Sequence, residues 1–128
     1  MNIDQLMQFK SDTYCFDSAQ VTSVCLSDKG ATINITGQQE DYGLIYLTYH
    51  LEENPKHETQ GSFKGTACGL SVEGKKTDAK LNGVWSRSGR SVTLYSLDDV
   101  SDGNLFFAII KINLVEESAE IYFSSFVR

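Results

Sequence analysis

After its first ten residues the chain alternates apolar or β-branched positions with polar ones, and breaks the alternation at clusters of Gly, Asp, Asn and Ser. A two-residue period is the signature of a strand with one buried face. Eight runs carry it: 20–26 (QVTSVCL), 31–36 (ATINIT), 42–52 (YGLIYLTYHLE), 60–73, 79–87 (AKLNGVWSR), 91–97 (SVTLYSL), 104–114 (NLFFAIIKINL) and 119–127 (AEIYFSSFV). The breaks SDKG, EGKKTD, SRSGRS, DDVSDG and VEES are turn-sized, and no helical period separates the runs. Short connections of this kind join antiparallel neighbours into a meander. A meander of long strands is best served by closing on itself, because closure removes exposed edges. The sequence therefore predicts an all-β protein, a single domain over 1–128 built as an antiparallel up-and-down β-barrel of about eight strands. Ile3, Leu6, Met7 and Lys10 keep helical spacing behind Asn2 or Asp4, so a short N-terminal helix or turn is expected.

The run QGSFKGTACGL (60–70) carries glycine at 61, 65 and 69. A spacing of four fits a helix–helix seam, and it also fits one face of a strand. Lys64, Glu73 and the shortness of the apolar stretch exclude the seam. As a strand, it has one face nearly bare, holding Gly61, Phe63, Gly65, Ala67 and Gly69. Glycines so placed mark a bend or the close approach of another backbone, and small barrels need such kinks to coil. The single proline, Pro55, is read within a polar loop, EENPKHETQG.

Composition narrows the partners. The formal net charge is −6 and the basic residues are scattered, so a nucleic-acid partner is not expected. Three cysteines, Cys15, Cys25 and Cys68, form no CxxC pair and suggest a reduced, cytoplasmic protein. The start, MNIDQLMQFK, lacks the basic and apolar regions of a signal peptide, and no apolar run reaches membrane-spanning length, so no membrane partner is expected. With two histidines and dispersed carboxylates, neither a metal site nor a cofactor is expected.

Two near-motifs are turns instead. GLSVEGKKT (69–77) resembles a phosphate loop, but Lys76 separates Gly74-Lys75 from Thr77, and a strand pattern follows where a helix is required. In DDVSDG (98–103), a calcium loop counted from Asp98 would place Val100 and Ile109 at positions that need oxygen ligands. Asp102-Gly103 reads as a hairpin turn with positive φ at the glycine. Cys68 and His50 could form an activated thiolate pair if the fold brought them together, against the plainer reading of Cys68 as a small buried residue.

The aromatic residues offer more. They are spread over several strands, and a barrel wide enough to be hollow would present them to a ligand beside a few polar groups. Tyr46, His50, Trp85, Arg87 and Tyr95 are the candidate lumen contacts; His50 faces either the interior or the outside. No catalytic residue is assigned. In NLFFAIIKINL both faces are apolar over 105–110. One face fills the barrel, so the other calls for a subunit interface, and hence a homo-oligomer, or a docked N-terminal segment.

DYGLIYLTYHL (41–51), GSFKGTACG (61–69), LNGVWSRSG (81–89) and DGNLFFAIIKINL (102–114) resemble the strand order of the allene oxide cyclase barrel-like proteins, a calycin-type family. The resemblance covers about two-thirds of the chain and implies an eight-stranded, often oligomeric barrel around an apolar cavity. The family's cyclase residues have no one-by-one match here. Three functions follow as expectations. The first is a barrel binding a small apolar or aromatic ligand in its lumen. The alternatives are an isomerase- or cyclase-type enzyme and a non-enzymatic assembly module.

Overall fold

The computed structural model describes residues 1–9 and 13–127. A single helical turn, α1 (Ile3–Leu6), precedes the strands. These are β1 (Tyr14–Cys15), β2 (Ser18–Ser27), β3 (Gly30–Gln39), β4 (Gly43–Asn54), β5 (His57–Leu70), β6 (Lys76–Ser88), β7 (Ser91–Val100), β8 (Leu105–Asn113) and β9 (Ser118–Ser125). Strands β2 to β9 pair antiparallel in chain order, and β9 returns to β2, so the sheet closes into the eight-stranded barrel that the alternation predicts. All eight predicted runs are strands. The expected polar loop at Pro55 is shorter than its composition suggests: β4 and β5 run on to Asn54 and from His57, leaving Pro55-Lys56 as the turn.

Turn chemistry ends the strands where the sequence placed its breaks. Gly74, Gly89 and Gly103 have φ of 85°, 60° and 96°, a region that a Cβ disfavours. The near-phosphate loop is a hairpin in which the Ser71 amide donates to the Lys75 carbonyl (3.0 Å). The near-calcium loop is the β7–β8 hairpin, where the Gly103 amide donates to the Val100 carbonyl (3.0 Å).

The seam that closes the barrel is divided. Gln20 pairs with Ser118, and the Val21 amide donates to the Glu117 carbonyl at 2.9 Å. The chain then kinks at Asp17, whose amide donates to Gln38 on β3. Beyond the kink, Phe16 donates to the Ile121 carbonyl, and β1 pairs Tyr14 with Phe123. Thus β1 and β2 act as one broken strand along β9. On its other edge β2 pairs with β3 along its whole length, with a bulge between Val21 and Ser23. Leu26, which continues the inner face there, is 77% exposed.

Inward positions follow the alternation: Ile33 and Ile35 on β3, Ile45, Leu47, Tyr49 and Leu51 on β4, Leu81 and Trp85 on β6, Leu94 on β7, Ile110 on β8 and Ile121 on β9 are all buried. Each such side chain contributes roughly 1.5–3 kcal/mol on leaving water. The glycine face of β5 points inward too. A Cβ on Gly61 would stand 1.8 Å from the Glu52 carbonyl oxygen, and one on Gly65 would stand 2.3 Å from that of Thr48. At these two positions glycine lets a neighbouring backbone lie close. Gly69 differs: the nearest atom to its added Cβ is 3.1 Å away, and the residue lines a cavity.

The outer face carries charges, among them Lys64, Lys80, Asp99, Lys111 and Glu120, while the interior is apolar. That arrangement is the reverse of an outer-membrane barrel. Among the described residues no helix is long and apolar enough to cross a membrane. On β8, the outward Phe107 is covered in part by the N-terminal segment: the Phe9 ring stacks on Phe107 and on Phe126, with centroids 6.3 and 5.3 Å away.

Candidate functional site

The five predicted contacts divide by face and by end of the barrel. Trp85 points inward and is buried, its Nε1 donating to the carbonyls of Glu52 (3.2 Å) and Ser62 (3.1 Å). Arg87 follows on the same face, half-buried, with its guanidinium donating to the Gly89 carbonyl (3.0 Å). Tyr46, His50 and Tyr95 lie on the outer face. Tyr46 is 50% and Tyr95 41% exposed, and His50 shares a 3.2 Å hydrogen bond with the Thr32 hydroxyl. These three residues do not line the lumen. Cys68 is also on the outer face, half-buried, and pairs in register with Tyr46, whereas His50 pairs with Lys64. Four residues of strand separate their positions, about 13 Å, so no Cys68–His50 pair forms.

Space opens at both ends of the barrel: about 90 Å³ beside Trp85 and Arg87, walled by Ile33, Leu51, Val92 and Leu114, and a second cavity at the opposite end. Side chains fill most of the lumen. About 70 Å³ stays open near the β3–β4, β5–β6 and β7–β8 turns, beside Gly69, Ala67, Ala79 and Ala108. Small side chains leave this space, and larger aromatic ones wall it: Phe16, Tyr42, Tyr49, Phe106 and Phe123. The rings brace each other edge to face, with Phe106 and Phe123 centroids 4.9 Å apart and Tyr42 and Phe106 6.2 Å apart. Outward of this cavity is a polar vestibule of about 400 Å³ that shares Tyr42, Thr77, Phe106 and Phe123 with it.

One ionisable group reaches the cavity from β7. Asp98 belongs to the inward series Val92, Leu94, Ser96, Asp98, Val100, and pairs in register with Leu81 on one side and Phe106 on the other. Its carboxylate accepts a hydrogen bond from the Ser96 hydroxyl at 2.5 Å. Burial pushes its pKa up from 3.8 to about 6, against the opposing effect of the Ser96 bond. Asp98 is half-buried and lines the cavity. Tyr49 faces the same space from β4; its burial, and next the Asp98 charge, push the phenol well above its ordinary value, so it stays a neutral O–H.

The rim is held by a polar clasp. The Tyr42 hydroxyl donates to Asp102 Oδ2 (2.7 Å), and Asn104 Nδ2 donates to the Tyr42 oxygen (3.2 Å). The clasp ties the β3–β4 turn to the β7–β8 turn. In the vestibule wall, Ser125 is 6% exposed and its Oγ has no hydrogen-bond partner. A buried hydroxyl without a partner costs about 1–3 kcal/mol.

No family model, curated protein or solved structure matches this chain.

Sequence reasoning missed Asp98 as a lumen residue: it weighed the position as the start of a calcium loop and then read DDVSDG as a turn, whereas β7 runs on to Val100. Chemically, the arrangement is an aromatic-walled cavity lined by the Asp98 carboxyl, the phenols of Tyr42 and Tyr49 and the Thr77 hydroxyl, entered through a polar rim. That is the make-up of a small-ligand site, and a shifted, buried carboxyl in a cleft is a mark of function.

Proposed function

We propose that this barrel binds a small, largely apolar ligand in the cavity beside Asp98. The observation that carries the reading is the pairing of an apolar cavity with a buried carboxyl that no packing need explains. A carboxyl left in an apolar core costs stability, and this one lines open space. The cavity accepts a short chain or a small ring fragment, since one water needs roughly 10–15 Å³ of such space and about 70 Å³ is present. A polar end of the ligand extends into the vestibule or meets Asp98.

The test uses three four-carbon probes, 1-butanol, butylammonium and butyrate, each titrated into the ¹⁵N-labelled protein. At least one of them is expected to shift the amides of Ala67, Gly69, Asp98 and Ala108 selectively. Ala67→Leu, which fills the cavity, is expected to abolish those shifts while the barrel stays folded. Cavity amides that respond to none of the three overturn the reading.

A second reading, an isomerase- or cyclase-type enzyme, is favoured by one observation: a carboxyl held at about 6 is suited to take and return a proton near neutral pH. The two readings separate on the recovered ligand. Binding returns it unchanged, whereas an isomerase returns a rearranged product whose formation stops in Asp98→Asn.

A further inference from the structure

We propose that the ligand is a small organic cation, an alkyl- or arylammonium ion, held by the Asp98 carboxylate within the aromatic cavity. This inference rests on the lumen-binding reading and adds the charge of the occupant.

Three independent observations point the same way. First, among the described residues no cationic side chain pairs with Asp98. The Ser96 hydroxyl donates a hydrogen bond to it, and the phenol that shares its space, Tyr49, is neutral. Arg87, which lies on the inner face, is at the opposite end and bonds to Gly89. A buried carboxylate is tolerated when an opposite charge and hydrogen bonds replace water, and the open space beside Asp98 is where such a charge fits.

Second, the cavity walls are π-faces. Phe16, Tyr42, Tyr49, Phe106 and Phe123 line it. A cation desolvated against aromatic rings is attracted by their quadrupoles, and ammonium groups are recognised in aromatic cages of this kind. An anion would meet the same faces with repulsion.

Third, the route in is acidic and presents unused hydrogen-bonding capacity. Asp41 and Asp102 line the vestibule against Lys75. With Asp98, three carboxylates face one ammonium group among the described residues that line this end. A cleft lined by one sign of charge raises the local concentration of the opposite ion. The unpartnered Ser125 Oγ, almost fully buried in the vestibule wall, offers an acceptor to an N–H or O–H of the ligand.

The experiment compares butylammonium, 1-butanol and butyrate on the unaltered protein by the cavity amide shifts. These probes share chain length and differ in charge. Butylammonium is expected to bind at least about tenfold more tightly than 1-butanol, because a charge-assisted hydrogen bond is roughly twice as strong as a neutral one, and butyrate is expected not to bind. In Asp98→Asn the ammonium preference should vanish while 1-butanol binding is retained. Equal affinity for butylammonium and 1-butanol, or preference for butyrate, overturns the cation assignment but leaves lumen binding standing. Silence from all three probes overturns lumen binding itself. The probe series needs no variant, so it decides the matter even if Asp98→Asn fails to fold.

Discussion

Replacing Asp98 with Asn should make the ligand-free protein more stable at neutral pH, and the gain should depend on pH in a defined way. The folded carboxyl titrates at about 6 against 3.8 for the free group. A raised carboxyl pKa means that the native state binds the proton more tightly than the unfolded state does. Between these two values the native state carries more protons, so stability falls as pH rises. Below about 4 both states are protonated, and the group exerts no charge penalty. Above about 6 both are ionised, and the full penalty applies. Each pKa unit is about 1.4 kcal/mol, so the rise from 3.8 to about 6 amounts to about 3 kcal/mol. Asn keeps the shape and an acceptor for the Ser96 hydroxyl but never ionises. The stability difference between Asp98→Asn and the parent should therefore grow in favour of the variant by about 2–3 kcal/mol from pH 4 to pH 7. Urea unfolding of both proteins over that range measures it, and taking the difference cancels every other carboxylate. A difference that stays flat from pH 4 to 7 would refute the burial of this charge. Saturating butylammonium should reverse the order at pH 7, because only the parent offers a counter-charge.

The remaining predictions concern the frame around the site. Gly83→Ala should destabilise by about 3 kcal/mol, since its Cβ would meet the Tyr95 carbonyl oxygen at 1.8 Å and the Phe63 ring at 2.8 Å; urea unfolding reads this, and a neutral outcome would mean that β6 and β7 can separate. Trp85→Phe removes the donor shared by the Glu52 and Ser62 carbonyls and should cost about 2 kcal/mol, again by urea unfolding, without altering probe binding at the far end. Tyr42→Phe breaks the clasp. It should cost about 1 kcal/mol or less and raise the Asp102 pKa in an NMR titration. Burial pushes that carboxyl up, but the bonds from Tyr42 and Asn104, with Lys75 nearby, hold it below 3.8. The stability this bond adds is present above the unfolded pKa and lost on acidification.

The barrel was legible because its signal is repeated in every strand. Period-two alternation and turn-sized breaks fix strand number, order and antiparallel sense together. The lumen face was less legible, because it depends on register, and a slip of one residue turns every side chain to the other side. For β6 and β7 the information was present. Gly89-Arg90 is a two-residue turn that pairs Ser88 with Ser91, so Trp85 pairs with Leu94. Trp85 and Tyr95 therefore cannot share a face, and choosing Trp85 as inward selects Leu94, Ser96 and Asp98. The size of Tyr95 and Leu97 concealed this.

For β4 and β5 the register was hidden. Counting back from the Pro55-Lys56 turn without interruption would pair Tyr46 with Gly65, placing Tyr46 and His50 over the bare glycine face. A bulge between Glu53 and Asn54 instead pairs Tyr49 with Gly65. Nothing in EENPKHETQG announces that bulge, since its residues are polar throughout and it lies beside a turn. The same irregularity builds the site. It brings Tyr49 inward on β4 as the Gly89 turn brings Asp98 inward on β7, and the small residues Ala67, Gly69, Ala79 and Ala108 leave space near both. Core packing alone would be better served by an apolar residue at 98, as the expected gain from Asp98→Asn expresses. A position where local stability is given up beside a cavity is where binding is to be sought.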